Sequence, residues 1–387
     1  MIDGSTRLHP SAGRPVVVVA GARPNFMKVV PILHELDRRR LPRLFVHTGQ
    51  HYDVNMSAQL LADLDAPPPD VLLEVGSATH AVQTARIMER FEPVLMRYQP
   101  SWVVVVGDVN STLACALVAA KIRHGIDCRV AHVEAGLRSH DWSMPEEVNR
   151  VLTDRLSDLL LTPVEEAATN LAEEGLSAVP TAFVGNIMID ALLATLPRAR
   201  ALAISSKFGL EPGRYLLVTL HRPSNVDDPE RFSLLVEALA ELSTRHPVVF
   251  PMHPRTRARV QGEALERRLR SLTVVEPMGY AEMIGMLDSA AATVTDSGGV
   301  QQESTILGVP CVTLRAQTEW PSTIDRGTNR LATWPPTVTS VVGDAEAAIE
   351  RGRVPVGTIA PPGWDGRAAS RIVDAMCGPD TVGGGEG

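Results

Sequence analysis

Lysine is nearly missing from this 387-residue chain: Lys28, Lys121 and Lys207 stand alone among 37 basic residues. Such a bias follows genome composition and excludes nothing, but it makes each lysine worth locating. Positive charge is short overall as well, with 45 acidic side chains and a net charge of −8. That balance excludes a sequence-independent nucleic-acid binder, which needs a basic face. No apolar run approaches 18 residues, so no transmembrane helix is expected. Residues 1–14 carry no apolar core, so no secretory leader is expected there. The cysteines, Cys115, Cys128, Cys311 and Cys377, have no CxxC spacing, which predicts reduced thiols and a cytoplasmic protein. Neither GxxxxGK[ST] nor a GxGxxG after the first strand is present, which removes the standard nucleotide loops. HExxH and zinc-spaced Cys/His clusters are also missing, and no metal site is expected.

What the chain does have is alternation. The length predicts two or three domains. Short apolar runs at 16–20, 44–48, 103–107 and 130–134 read as buried parallel strands, separated by helical spacing over about 25–39, 53–65, 79–97 and 111–124. A second set follows after residue 180. Strands are expected at 215–220, 247–250, 272–275, 292–295 and 311–314, and helices near 229–244, 256–269, 280–289 and 299–307. The pattern is α/β, with two doubly wound domains facing each other across a cleft. Ligands bind such sheets outside the carboxyl ends of their strands, where the unusual polar residues of this chain fall.

Each of these groups has a structural reading beside a functional one. In Gly21–Lys28, Asn25 can cap the following helix, whose N-terminus attracts anions together with Arg23 and Lys28. The plain alternative is a capped helix with a surface lysine. In Asp296–Glu303, Ser297, Gly298 and Gly299 would form a nest for a phosphate, and Glu303 could accept from a diol such as ribose. Otherwise this is a Gly-rich turn with Asp296 as the helix cap. After the fourth strand, Glu134 and Arg138 either hold charge over the cleft or form a structural ion pair. Ser143 and Glu146 have the spacing of a capping box, with Pro145 in the first turn, unless Glu146 joins Asp108 and Glu134 in acid/base work. His221 and Arg222 end the first strand of the second half, where they can meet an anion, and Arg315 to Trp320 adds another polar cluster. The simplest sum is a nucleotide-sugar enzyme, with transfer, hydrolysis and epimerisation all open.

The ordered series Gly21–Lys28, Thr48–His51, Gly107–Asp108, His132–Arg138, Pro145–Arg150, Gly185–Asn186, His221–Arg222, Asp296–Glu303 and Thr318–Glu319 resembles the non-hydrolysing UDP-N-acetylglucosamine 2-epimerases over about residues 15–375. The resemblance implies a GT-B-like pair of Rossmann-type domains with the active site in the cleft between them. It places one domain at 1–181, completed by a helix near 366–378, and a UDP-binding domain at 182–365. It further implies a homodimer without a redox cofactor. The activity implied is interconversion of UDP-N-acetylglucosamine and UDP-N-acetylmannosamine, or a close derivative, through anti elimination of UDP, a bound 2-acetamidoglucal and re-addition. Asp108, Glu134, Glu146 and His221 are then the catalytic candidates. Arg23, Lys28, Arg138, Arg222, Ser297, Gly298, Gly299, Glu303, Arg315 and Glu319 are the substrate-binding ones, and Gln50 with His51 a possible allosteric site. A hydrolysing epimerase, a glycosyltransferase and a non-catalytic nucleotide-sugar binder are the alternatives. Trp320 occupies a position where relatives carry arginine, and Asn25 stands where they often carry glutamate, which leaves the exact hexosamine open.

Overall fold

The computed structural model describes residues 13–50 and 60–377. The chain divides into two compact units, Met1–Ala191 with Pro362–Gly387, and Leu192–Pro361.

The first unit is built on a seven-stranded parallel sheet in the order β3-β2-β1-β4-β5-β6-β7. Its strands are β1 (Val16–Ala20), β2 (Arg43–His47), β3 (Val71–Leu72), β4 (Trp102–Val106), β5 (Arg129–Val133), β6 (Leu159–Thr162) and β7 (Thr181–Phe183). β1 and β4 are buried along their whole length, the expected state of strands covered by helices on both faces. The longer helices are α1 (Arg23–Arg38), α2 (His80–Tyr98), α3 (Asn110–Ile126), α4 (Pro145–Leu156), α5 (Glu165–Glu173) and α6 (Ile187–Ala201). α6 carries the chain across the unit boundary, which falls ten residues beyond the expected 181/182. β7 pairs with β6, which keeps residues 181–183 in the first sheet.

The second unit has a six-stranded parallel sheet, β10-β9-β8-β11-β12-β13. These strands are β8 (Leu216–Thr219), β9 (Val248–Pro251), β10 (Thr273–Val275), β11 (Ala292–Thr295), β12 (Cys311–Thr313) and β13 (Asn329–Leu331). Its longer helices are α7 (Pro229–Leu242), α8 (Tyr280–Asp288), α9 (Gly298–Leu307) and α10 (Val338–Arg351). A core of Leu216, Val218, Phe232, Leu235, Phe250 and Val294 fills the space between sheet and helices.

The last helix, α11 (Ala368–Cys377), returns to the first unit and packs on α1. Asp190 accepts from the N–H groups of Ala368 and Ala369 and fixes its start, while Arg39 reaches Asp374 at 2.5 Å. The approach of this segment is close. A Cβ on Gly185, whose φ is +81°, would fall 2.0 Å from the Gly363 carbonyl oxygen.

The expected runs mark the central strands to within a residue or two; β6, though apolar and buried, was not expected, and the polar or exposed strands also escape. β7 is largely exposed and β13 reads Asn-Arg-Leu, so neither has a hydrophobic run to announce it. The single helix expected over 256–269 is two short ones, Pro254–Arg257 and Glu263–Leu269, parted at Gly262 with φ of +89°. Of the helix expected at 53–65, residues 53–59 lie outside the described residues.

Candidate active site

The first unit gathers its polar groups at the carboxyl ends of β1, β4 and β5. α1 begins at Arg23 with Ala22 as N-cap, three residues earlier than an Asn25 cap would require. Asn25 is therefore the third helical residue, and its Oδ1 accepts from the N–H groups of Gly21 and Ala22. Its amide also donates to the Val106 carbonyl at 3.3 Å and ties this loop to the end of β4. One turn on, Lys28 is buried, and its Nζ lies 2.7 Å from Glu134 Oε1. The surface-lysine reading is thereby excluded. Gly107 makes the approach possible: its φ is +64°, and a Cβ there would meet Lys28 Nζ at 2.9 Å. Glu134 itself sits at φ +74°, a strained backbone for a glutamate and of the kind that collects at functional sites.

Asp108 follows Gly107 and is ion-paired with Arg150 of α4. The adjacent Asn149 donates to the Asp108 carbonyl at 2.9 Å. Glu146 is exposed in the first turn of α4. The capping box expected there does not form, because Met144 is the N-cap and the Ser143 hydroxyl donates to Asp141 at 2.6 Å. Glu146 lines a cavity of about 320 Å³ with Gln50, His80, Asn110, Pro145 and Asn149. Gln50 is held in place by Ser111, whose hydroxyl donates to its amide oxygen at 2.8 Å. His51 and the Arg23 side chain lie outside what the structure describes.

Arg138 departs from its expected place. The structural pairing with Glu134 is absent, since Glu134 pairs with Lys28. The Arg138 guanidinium is buried and forms ion pairs with Asp154 at 2.8 Å and Glu174 at 2.6 Å. Those two carboxylates take up its charge and hold its pKa above the ordinary value against burial. Through these pairs Arg138 fastens α4 to the end of α5.

In the second unit the loops after β8 and β11 meet. Asp296, expected as the cap of α9, turns the other way. Its carboxylate accepts from the N–H groups of His221 and Arg222 and from the Asn225 amide, and lies 3.0 Å from His221 Nδ1. Burial raises its pKa, but the His221 contact and these donors outweigh burial and hold it below the ordinary range. Ser297 takes the N-cap of α9 instead, accepting from Val300 N–H. Gly298 and Gly299 are the first two helical residues, whose N–H groups have no intrahelical acceptor. The Trp320 indole covers this end, 3.5 Å from where a Cβ on Gly298 would stand. Arg315 grips Glu319 through two bonds of 2.6 and 2.8 Å. Burial opposes ionisation of Glu319, but Arg315, aided by Arg222, brings its pKa down to about 2. Glu303 is buried, and burial pushes its pKa up to about 7, partly offset by the Tyr280 hydroxyl.

Two sheets ending in anion-seeking loops and paired carboxylates fit several nucleotide-sugar enzymes. The comparison with known proteins decides among them. A family model described as UDP-N-acetylglucosamine 2-epimerase matches residues 34–377. The chain belongs to that epimerase family. It is 42% identical over 323 residues to a UDP-N-acetylglucosamine 2-epimerase of Methanocaldococcus jannaschii, covering 81% of this chain and 87% of the relative. It is 40% identical over 371 residues to the UDP-2,3-diacetamido-2,3-dideoxy-D-glucuronate 2-epimerase of Pseudomonas aeruginosa, covering 93% and 99%. A crystal structure of the Methanocaldococcus jannaschii UDP-GlcNAc 2-epimerase in complex with UDP-GlcNAc and UDP superposes with a TM-score of 0.81 at 37% identity, covering 94% of this chain and 99% of that one. The fold is GT-B-like in having two Rossmann-type parallel-sheet domains.

Sequence reasoning overlooked Asp154, gave Arg150 no role within its motif and took Asp296 for the cap of α9. Asp296 serves the opposite loop, Arg150 faces Asp108, and Asp154 gathers His132 and Arg138. Asp296 and Arg150 stand in the motifs and Asp154 is a charged residue in an otherwise buried stretch, but none of these positions says what the side chain touches.

Proposed function

We propose that this chain interconverts UDP-N-acetylglucosamine and UDP-N-acetylmannosamine, or a close derivative, by inversion at C2 without hydrolysis. One carboxylate of the first unit takes the C2 proton as the C1–O bond breaks and its electron pair leaves with UDP. A C1–C2 double bond remains in a bound 2-acetamidoglucal. An acid then delivers a proton to the other face of C2, and the UDP oxygen returns to C1. Asp108, Glu134 and Glu146 are the acid/base groups, with Lys28 holding Glu134 in place. In the second unit, the helix start at Ser297–Gly299 and His221, set by Asp296, hold the diphosphate and meet the charge that develops on departing UDP. Glu303 takes the ribose, and Arg315 with Glu319 shapes the same side. The functional unit is a homodimer.

The observation that carries this reading is the buried Lys28–Glu134 pair at 2.7 Å beside Gly107–Asp108: a fixed charge and two carboxylates at the end of one sheet in a member of the 2-epimerase family. Incubation of UDP-N-acetylglucosamine in deuterated water should give product carrying one deuterium at C2. Epimerised product without deuterium would remove the elimination. Release of free hexosamine with stoichiometric UDP would make the enzyme a hydrolysing one, and turnover only with an acceptor would make it a transferase.

A further inference from the structure

β5 reads Arg-Val-Ala-His-Val, and His132 is an oddity inside it: a wholly buried imidazole in register with Val105 on one side and Leu160 on the other. A polar ring costs free energy there unless both nitrogens are satisfied. Both are. Nε2 lies 2.8 Å from the Gly107 carbonyl oxygen and Nδ1 lies 2.6 Å from Asp154 Oδ1. A carbonyl oxygen can only accept, so Nε2 carries a proton. Nδ1 faces a carboxylate that already accepts from Gly136 N–H at 3.1 Å and from Arg138 at 2.8 Å. With His132 and Arg138 both against it, Asp154 stays below the ordinary carboxylate range although buried. Asp154 Oδ1 thus closes the far side of the ring.

We infer that His132, clasping the ends of β4 and β5 through both ring nitrogens, is a positioning residue for Asp108 and Lys28. The carbonyl it grips belongs to Gly107, the residue before Asp108 and the one against which Lys28 Nζ lies. Gly107 N–H in turn donates to Val133 O at 3.0 Å, so this peptide is fastened from both sides. The charged groups around the ring are Asp154 of α4, Arg138 from the loop after β5, Glu174 beyond α5, and the Lys28–Glu134 pair past Gly107.

The test uses the full-length protein. In His132→Gln the new amide can still donate to Gly107 but presents the wrong atom to Asp154. Its kcat should fall ~10–100-fold, the scale of a misplaced acid/base group, while its affinity for UDP stays within about twofold. An unaltered kcat overturns the inference, and so does a UDP affinity that falls in step with kcat. Should His132→Gln not fold, His132→Asn is measured in the same way. The inference rests on Asp108 acting as proposed above, and Asp108→Asn assayed beside it tells failure of that reading, a near-native kcat, from failure of this one.

Discussion

Asp296→Asn is the most informative single change in the second unit because it preserves shape and removes only charge and one acceptor. Four N–H donors converge on the wild-type carboxylate: the backbone N–H of His221 and of Arg222, the Asn225 amide, and His221 Nδ1. An amide offers one oxygen with two lone pairs and turns its NH2 toward donors, so at least two of the four lose their acceptor. Hydrogen bonds to a charged group are worth about 1.5–3 kcal/mol each. His221 is partly exposed and recovers some of its loss from water, so the lower end, about 3 kcal/mol, is the better figure. In a unit of this size each kcal/mol moves melting by about 2–4 °C, which gives a fall of roughly 6–12 °C. Differential scanning calorimetry measures it, and titration with UDP should show weaker binding because His221 and Arg222 lose their setting. The sign with pH follows from the depressed pKa of Asp296. Its contribution is fully present above the ordinary value of 3.8 and is lost as pH falls through the lower folded value. The gap between wild type and variant should be constant from about pH 5 to 8 and close only in acid. Melting within about 2 °C of wild type together with unchanged UDP affinity would refute this account of the loop.

Removing the Lys28 ammonium in Lys28→Met leaves Glu134 buried and unpaired. Breaking such a pair costs about 3–5 kcal/mol, and kcat should fall at least ~100-fold; near-native turnover would take Lys28 out of the chemistry. Asp108→Asn and Glu134→Gln should each lose at least ~100-fold in C2 deuterium exchange, the scale of a positioned acid or base. Glu303, with its pKa near 7, should lose its proton as it accepts ribose hydroxyls. Wild-type affinity for UDP should then rise between about pH 6 and 8 more steeply than that of Glu303→Gln, whereas a constant ratio of the two would contradict the ribose role. Gly185→Ala would push a methyl group to 2.0 Å from Gly363 O at a φ of +81°, and the protein should melt several degrees lower.

The buried central strands were plain in the sequence because a parallel strand covered on both faces must be apolar throughout, as Val16–Ala20 and Trp102–Val106 are. The motif residues could be read there too, because Gly, Asp and His at the ends of such strands fall where open α/β sheets bind ligands. Strands without an apolar run could not be read. Thr181–Phe183 and Asn329–Leu331 exist because a neighbouring strand offers them hydrogen bonds, and pairing is not written in composition.

The sequence by itself determined the α/β alternation, the family motifs and the singling out of Lys28 among three lysines. Only the tertiary structure decided which charge meets which. Lys28 faces Glu134 across 106 residues of chain, and Arg138, four residues from Glu134, turns away to Asp154 and Glu174. Asp296 serves a loop 75 residues before it, not the helix it precedes. The physical reason is the same each time. A buried charge is tolerated only where an opposite charge or convergent donors meet it, and the packing of distant segments supplies those partners.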